Sequence, residues 1–161
     1  MIRKATLDDA AAITRIYNPF VTDTTVTFET VPVSVDEMRR RIAEISAQYP
    51  YYVWQDDAGE VTGYCYVHAW KPRAAYAYTY EVTIYLAPEA QGQGIGRQMI
   101  SLLIDESRLL GAQALIACIT EGNEHSIRLH RSMGFEQVSH FHKVGRKFGQ
   151  VLDVVDLELV L

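Results

Sequence analysis

The amino-acid sequence predicts an α+β domain built on a mixed, mainly antiparallel sheet that is flanked by helices. Three observations favour this class. The chain of 161 residues is long enough to bury a core within one domain. Stretches in which apolar residues recur at helical spacing are interspersed with short runs typical of strands. No repeat, linker or low-complexity segment divides the chain, so we expect residues 1–161 to form a single domain.

Two helices are expected in the first third of the chain. Residues 6–9 resemble a capping box and precede apolar residues at helical spacing, and Pro19 is expected to mark the end of that helix. A Thr-rich segment, residues 22–33, follows. Residues 34–37 form a second capping-box pattern, which opens a helix that reaches about Gln48.

The rest of the chain predicts six strands and two more helices. The helices, residues 94–110 and 124–133, are each followed by a glycine, and Gly111 suits a left-handed helix cap. The last two strands are expected to form a hairpin with a basic, Gly-containing turn. The predicted strands are residues 51–55, 61–70, 78–86, 114–119, 135–144 and 151–161.

Composition excludes several classes of function. Hydrophobic residues make up 48% and charged residues 22%, which excludes a disordered chain. The net charge of -5 argues against nucleic acid or an anionic membrane as partner, and the basic run at residues 39–41 is interpreted as a solvated helix face.

Cysteine content and the N-terminal sequence bear on the compartment. Cys65 and Cys118 lie in apolar runs whose spacing matches no metal or redox motif, so both are expected to be buried thiols. No segment resembles a signal peptide, and no apolar run approaches the roughly 20 residues that span a bilayer. We therefore expect a cytoplasmic protein.

The segment with most chemical information runs from a predicted strand through alternate glycines into a helix, at Gln91-Gly92-Gln93-Gly94-Ile95-Gly96-Arg97. Glycines let the backbone approach a ligand, and a helix N-terminus offers unpaired N–H groups, so the segment predicts a pyrophosphate cradle. A Gly-rich turn without a ligand is the alternative. A Walker loop and a dinucleotide fingerprint both fit poorly, because no Gly-Lys-Ser/Thr is present and the glycine spacing and chain position differ.

The same residues match the Gln-x-x-Gly-x-Gly signature and resemble the GNAT superfamily of N-acetyltransferases. A second match lies at residues 123–135, which resemble the superfamily's Asn-x-x-Ser-x-x-Leu-(four residues)-Gly-Phe stretch. The resemblance implies the GNAT fold, with its sheet splayed near Leu86 and Ile119, and acetyl-CoA as co-substrate. The residues that it implies for acetyl-CoA are Tyr85, Leu86, Gln91, Gly92, Gln93, Gly94, Ile95, Gly96, Arg97, Asn123 and Ser126.

Three further segments, residues 25–32, 70–76 and 145–149, look like the phosphinothricin/methionine sulfoximine N-acetyltransferase subfamily. That resemblance implies transfer of an acetyl group to the α-amine of a small amino-acid-like compound, and a homodimer. Val151 stands where the subfamily usually has Trp, which leaves the substrate open. Alternatives are an acetyltransferase for a polyamine, an aminoglycoside or a protein N-terminus, and a non-catalytic acyl-CoA sensor.

Glu81 is the candidate general base. It lies on the polar face of the strand predicted at residues 78–86, where a carboxylate is costly to bury unless it is paired, solvated or useful. A half-exposed, ion-paired sheet residue is the alternative, and the resemblance favours the catalytic role. An ammonium substrate must lose a proton before it attacks a thioester, and burial would raise the pKa of Glu81 toward that task.

The remaining candidates are weaker on sequence alone. His130 is interpreted as an acid for the departing thiolate, as a partner that orients Glu81, or as a packing residue. Arg73 would clamp an amino-acid carboxylate or is a solvated loop arginine. Phe28 and Tyr76 would be walls of the substrate site, or would pack in the core or in a dimer interface. No metal is expected, because two further histidines, at positions 140 and 142, have no third ligand at suitable spacing.

Overall fold

A computed structural model describes all 161 residues, Met1–Leu161, and contains one seven-stranded sheet with the strand order β1-β2-β3-β4-β5-β7-β6. All neighbouring strands are antiparallel except β4 and β5, which are parallel. The predicted α+β class with a mixed, mainly antiparallel sheet is therefore confirmed. The strands are β1 (Ile2–Lys4), β2 (Tyr51–Gln55), β3 (Val61–Ala69), β4 (Thr79–Leu86), β5 (Ala114–Thr120), β6 (Glu136–Lys147) and β7 (Gln150–Val160).

Four α-helices cover the two faces of the sheet. They are α1 (Ala10–Asp23), α2 (Val35–Ser46), α3 (Ile95–Leu109) and α4 (Glu124–Ser132). None of them combines the length and the apolar character that crossing a membrane requires. A larger core lies between the sheet, α3 and α4, and includes Met99 and Leu103, and a smaller one lies under α1 and α2 around Ile13 and Ile42. Successive strand residues enter opposite cores, as the two-residue period of a strand requires.

The predicted end of α1 at Pro19 is wrong, because the helix continues through Pro19 to Asp23. Proline removes the hydrogen bond to the carbonyl of residue i−4, here Arg15. Both Pro19 and Arg15 are exposed, so water reaches the carbonyl that proline leaves free. Side chains on the opposite side of the helix, including Tyr17 and Val21, are buried and hold the last turn in place.

The C-terminal hairpin is longer and its turn is shorter than the sequence predicted. β6 extends to Lys147 instead of ending near residue 144, and the turn consists of Phe148 and Gly149, both with positive φ. A two-residue turn in which both residues have positive φ has a twist that matches the twist of the two flanking strands. The register between β6 and β7 shifts between Phe141 and Gly145, so the strand also contains a bulge.

The parallel pair β4–β5 opens into a wedge. Only Thr79 to Glu81 pair with β5, opposite Ala114 to Ile116, and the rest of β4 has no partner on that side. The splay predicted between Leu86 and Ile119 is therefore present, and it begins immediately after Glu81. A groove between β4 and α4 results.

Candidate active site

The glycine loop joins β4 to α3 and leaves a row of backbone N–H groups free. Gly92 and Gly94 have φ of 73° and 76°, the left-handed region, and Gly94 is the N-cap of α3. No hydrogen bond within the protein uses the N–H groups of residues 92–97. Because these groups stand at the positive end of a 15-residue helix, the loop is suited to hold a phosphate group.

The groove beside this loop has a volume of about 260 Å³ and lies between β4 and α4. Asn123 caps α4 by accepting a hydrogen bond from the Ser126 N–H at 3.4 Å. The Gln91 side chain donates to the Leu86 carbonyl at 3.2 Å and so ties the loop to the end of β4. Of the residues predicted to contact acetyl-CoA, the groove brings together Tyr85, Leu86, Gln91, Asn123 and Ser126.

Arg97 and Gly96 lie at the start of α3. Arg97 is exposed and its guanidinium donates to Ser132 Oγ at 3.5 Å. A Cβ at Gly96 would lie 3.0 Å from Leu129 Cδ2, so glycine here lets α3 approach α4 closely.

Glu81 lies where the strands separate, between two smaller cavities. The first, about 110 Å³, overlaps the groove and is also lined by Asn123, Ser126 and His130. The second, about 190 Å³, lies toward α1 and α2 and has a polar lining. Its polar and aromatic side chains include those of Tyr17, Arg41, Tyr51, Tyr64, Tyr66, His68, Thr83 and Tyr85.

The Glu81 carboxylate is 25% exposed and makes no hydrogen bond within the protein. The one basic side chain within 4 Å is His68, whose Nε2 is 3.9 Å from Glu81 Oε1. Burial raises the pKa of Glu81 above its ordinary value, the His68 imidazole opposes this rise, and the Asp156 carboxylate adds to it. The interpretation as an ion-paired sheet residue is thus weakly supported, since 3.9 Å lies beyond hydrogen-bonding distance.

His130 lies on the buried face of α4 and makes no hydrogen bond to Glu81. It is 2% exposed, and its ring meets Phe135 edge-on at 5.1 Å. Nδ1 lies 2.9 Å from the Ser126 carbonyl, so this nitrogen carries the proton, and Nε2 is buried without a partner. Burial lowers the pKa of His130, and the hydrogen bond to Ser126 opposes that effect. The neutral ring therefore keeps a lone pair on Nε2 that no donor in the protein uses.

The three predicted substrate residues lie outside these cavities in the single chain. Arg73 is exposed, precedes a 3₁₀ turn between β3 and β4, and makes no ion pair. Tyr76 contacts Trp70 edge-on at 5.3 Å in the same turn. Phe28 is 42% exposed and covers Gly145, where an added Cβ would lie 2.4 Å from the ring.

The sequence did not predict that Arg41 belongs to the site. Residues 39–41 were expected to form a solvated face, which holds for Arg39 and Arg40 but is wrong for Arg41. Its guanidinium binds Glu29 through two contacts, at 2.6 and 3.1 Å, and Glu37 at 2.9 Å. The signal was available, because Arg41 lies three residues after the buried Met38 on the same side of α2.

Cys118 corrects a second expectation. Cys65 is buried as predicted, but Cys118 is exposed near the groove and its thiol donates to Asp156 Oδ1 at 2.8 Å. Desolvation and the Asp156 carboxylate raise the pKa of the Cys118 thiol, and burial raises that of Cys65. Neither sulfur is therefore an activated nucleophile.

Comparisons with known proteins agree with this geometry. A model of the Acetyltransferase (GNAT) domain matches residues 2–155. The L-methionine sulfoximine/L-methionine sulfone acetyltransferase of Salmonella typhimurium is 39% identical and aligns with 99% of this chain and 94% of its own. The phosphinothricin N-acetyltransferase of Alcaligenes faecalis is 41% identical, over 92% and 76% of the two chains. A phosphinothricin acetyltransferase of Sinorhizobium meliloti, solved with acetyl-CoA, superimposes with a TM-score of 0.97, 38% identity and coverage of 100% and 88%.

Proposed function

The chain belongs to the GNAT acetyltransferase family, and on that basis we propose that it transfers the acetyl group of acetyl-CoA to the α-amine of a small amino-acid-like compound. L-Methionine sulfoximine, methionine sulfone and phosphinothricin are the leading substrates, since relatives that align with nearly the whole chain act on them. The observation that carries the proposal is the position of Glu81, between the groove that leads to the glycine loop and a separate polar cavity.

The protein's own groups account for cofactor binding. Acetyl-CoA supplies the activated acetyl group, and the free N–H groups of residues 92–97 would hold its pyrophosphate. The groove lined by Leu86, Asn123 and Ser126 would take the pantetheine arm. A backbone N–H near Leu86, on the open edge of β4, would donate to the acetyl carbonyl oxygen as negative charge develops there.

Glu81 would remove the proton from the substrate ammonium, directly or through one water molecule. A carboxylate with a raised pKa is a stronger base than an ordinary one, and no hydrogen bond within the protein occupies its oxygens. The amine would then attack the acetyl carbon and the C–S bond would break, and the second proton that the nitrogen loses on becoming an amide would pass to the departing CoA thiolate. No acyl-enzyme is needed. His130 lines the same cavity and would hold its wall in place by packing against Phe135.

Arg73 is proposed as the partner of the substrate carboxylate. Arg41 is nearer to Glu81 in the polar cavity, but it is already neutralised by Glu29 and Glu37. Arg73 has no such partner. We propose that Phe28 and Tyr76, both partly exposed, form the walls of the substrate site as the resemblance implies.

A homodimer in the cytoplasm completes the proposal. Phe148, Val144 and Val151 on the β6–β7 hairpin expose half or more of their surface, and Phe28 lies against the same hairpin. Their burial between two copies would stabilise a dimer. Sedimentation equilibrium should give twice the 18.2 kDa mass of the chain, and a value of 18.2 kDa would contradict the dimer. The cytoplasm supplies acetyl-CoA and keeps Cys118 reduced.

A thiol-release assay tests the substrate class. Purified protein is given acetyl-CoA with L-methionine sulfoximine, L-phosphinothricin, spermidine or a peptide with a free N-terminus. Turnover on the first two is expected, with a large rise in KM in Arg73→Ala and none in Arg39→Ala, a matched surface arginine. Turnover only on spermidine or the peptide refutes the substrate class. No turnover on any of the four, with acetyl-CoA still bound, would favour a sensor.

A further inference from the structure

Two histidines and one aspartate converge on the β6–β7 hairpin, and none of the three lines the cavities around Glu81. His140 Nε2 and His142 Nδ1 lie 3.1 and 2.8 Å from the same oxygen, Asp153 Oδ2. One ligand atom from each residue lies within 4.8 Å of the others. The sequence predicted no metal because His140 and His142 had no recognisable third ligand, and the fold supplies Asp153 from the neighbouring strand.

A further carboxylate, that of Glu121, follows β5 and lies beside His140. Glu121 Oε1 is 3.3 Å from His140 Nε2, and the Glu121 N–H donates to the Asp153 carbonyl at 2.9 Å. Glu121 stands two residues before Asn123, which caps α4 and lines the groove. The four side chains therefore join the hairpin to the loop that enters the proposed cofactor groove.

Two of the separations are close to those around a tetrahedral metal ion. Zn²⁺ binds imidazole nitrogen and carboxylate oxygen at about 2.0–2.2 Å, which places two ligand atoms of a tetrahedron roughly 3.3–3.6 Å apart. His140 Nε2 lies 3.1 Å from Asp153 Oδ2 and 3.3 Å from Glu121 Oε1, close to that range, whereas His142 Nδ1 lies nearer to Asp153 Oδ2, at 2.8 Å. The ligand atoms of the two histidines lie within 4.8 Å of each other, so rotation of the side chains would bring the ligands around one ion. Two imidazoles with carboxylates suit Zn²⁺ and similar transition-metal ions, whereas Ca²⁺ and Mg²⁺ prefer oxygen alone.

The carboxylate of Asp153 is held in position by the backbone. Its second oxygen, Oδ1, accepts the Lys143 N–H at 2.8 Å, and Oδ2 remains directed at the histidines. Lys143 has φ of 57° in the bulge of β6, the conformation that turns its N–H toward Asp153. Outer contacts of this kind orient metal ligands. No lysine or arginine forms an ion pair with Asp153 or Glu121, so their negative charge is not neutralised by a fixed cation.

We propose that His140, His142, Asp153 and Glu121 bind one divalent transition-metal ion of the Zn²⁺ type. The bound ion would fix the hairpin to the β5–α4 loop and stabilise the folded state by mass action. This inference does not depend on the identity of the amine substrate.

Metal titration of chelator-treated, tag-free protein tests the site. Isothermal calorimetry with ZnCl₂ should give one ion per chain, and the visible spectrum with Co²⁺ should show the intense absorption of four-coordinate Co²⁺. His140→Gln and His142→Gln should each weaken Zn²⁺ by about tenfold or more, since even outer-shell changes cost about 10- to 100-fold. Cys118→Ser, which removes the exposed thiol, should bind Zn²⁺ as the wild type does.

A second measurement, the Tm with and without ligand, distinguishes loss of metal binding from unfolding of a variant. The same concentration of Zn²⁺ should raise the Tm of the wild type and of Cys118→Ser, and raise that of His142→Gln by clearly less, while acetyl-CoA raises the Tm of all three equally. One-to-one binding with the wild-type affinity in both histidine variants overturns the proposal. So does wild-type affinity no tighter than that of the double variant His140→Gln/His142→Gln, which would mean that the cluster is a hydrogen-bonded network only.

Discussion

Replacing Gly94 by alanine separates the two roles of the glycine loop, backbone conformation and ligand binding. An added Cβ at Gly94 would meet no atom within 4 Å, so no clash is expected. The cost comes from φ of 76°, which disfavours an L residue by roughly 1–2 kcal/mol. Alanine also restricts the unfolded chain more than glycine does, and this stabilises the folded state by about 0.4–1 kcal/mol. The net expectation is a loss of about 1 kcal/mol in the free energy of unfolding.

For 161 residues, an unfolding entropy of about 2.1 cal/mol/K per residue gives about 0.34 kcal/mol/K, so Tm should fall by about 3 °C. Gly111 is the matched control. It follows the other end of α3, has φ of 81°, and has equally open surroundings. Gly111→Ala should lose the same stability.

Ligand binding should distinguish the two variants. Urea unfolding measures the stability of each, and calorimetric titration measures its affinity for acetyl-CoA. Gly94→Ala should weaken acetyl-CoA in addition to its loss of stability, because Gly94 aligns the free N–H groups at the start of α3, whereas Gly111→Ala should bind it normally. Equal affinities in the two variants, or no loss of stability in either, would refute the reasoning.

Three further outcomes are expected. Lys147→Met should lower the free energy of unfolding, measured in urea, by about 1–3 kcal/mol. The Lys147 ammonium donates to the Thr27 carbonyl at 2.8 Å, and its removal leaves this buried acceptor without a partner. An unchanged free energy of unfolding would contradict that role. Cys65 and Cys118 should react slowly with a disulfide reagent at pH 8 in the folded protein and rapidly in urea. Their raised pKa values keep both thiols protonated in the folded state, and a protonated thiol is a poor nucleophile. Fast labelling of the folded protein would contradict the raised pKa values. Glu81→Gln should be more stable than the wild type at pH 8 but not near pH 4. Folding raises the pKa of the Glu81 carboxyl, so the wild-type protein loses folding stability as the pH rises from about 4.3 through the folded pKa, and the glutamine variant does not. A stability difference that does not depend on pH would contradict a partly buried carboxylate at this position.

Local signals predicted most of the fold. Short runs typical of strands placed β2 to β5, and helix-length segments that end at a glycine placed α3 and α4, because each of these patterns is local. Pro19 was predicted to end α1 because proline destabilises a helix interior wherever it occurs. The burial of Tyr17 and Val21, which compensates for this destabilisation, depends on tertiary packing that the local sequence does not give. The length of the C-terminal hairpin was missed for a similar reason, since Phe148 is an uncommon residue at positive φ.

The site was predictable where one segment supplies the chemistry. The glycine loop and Glu81 lie on a continuous strand–loop–helix unit, so their placement followed from the order of the elements. The Arg41–Glu29 contact depends on how α2 packs against the loop before it, and the His140–Asp153 contact depends on the hairpin register, which bulges shift; no local pattern gives either. The role of Arg73 remains a prediction from guanidinium chemistry, because this residue lies outside the cavities that surround Glu81 in the single chain.

The most direct test of the account is the pH dependence of kcat/KM for L-methionine sulfoximine in the wild type and in Glu81→Gln. The wild-type value should rise with pH through an apparent pKa above the ordinary range for Glu, because burial raises the pKa of this group. Glu81→Gln should bind acetyl-CoA normally, lose that rise, and turn over about 10²- to 10⁴-fold more slowly, which is the usual contribution of a general base. A Glu81→Gln enzyme with the rate and pH profile of the wild type would contradict the central claim.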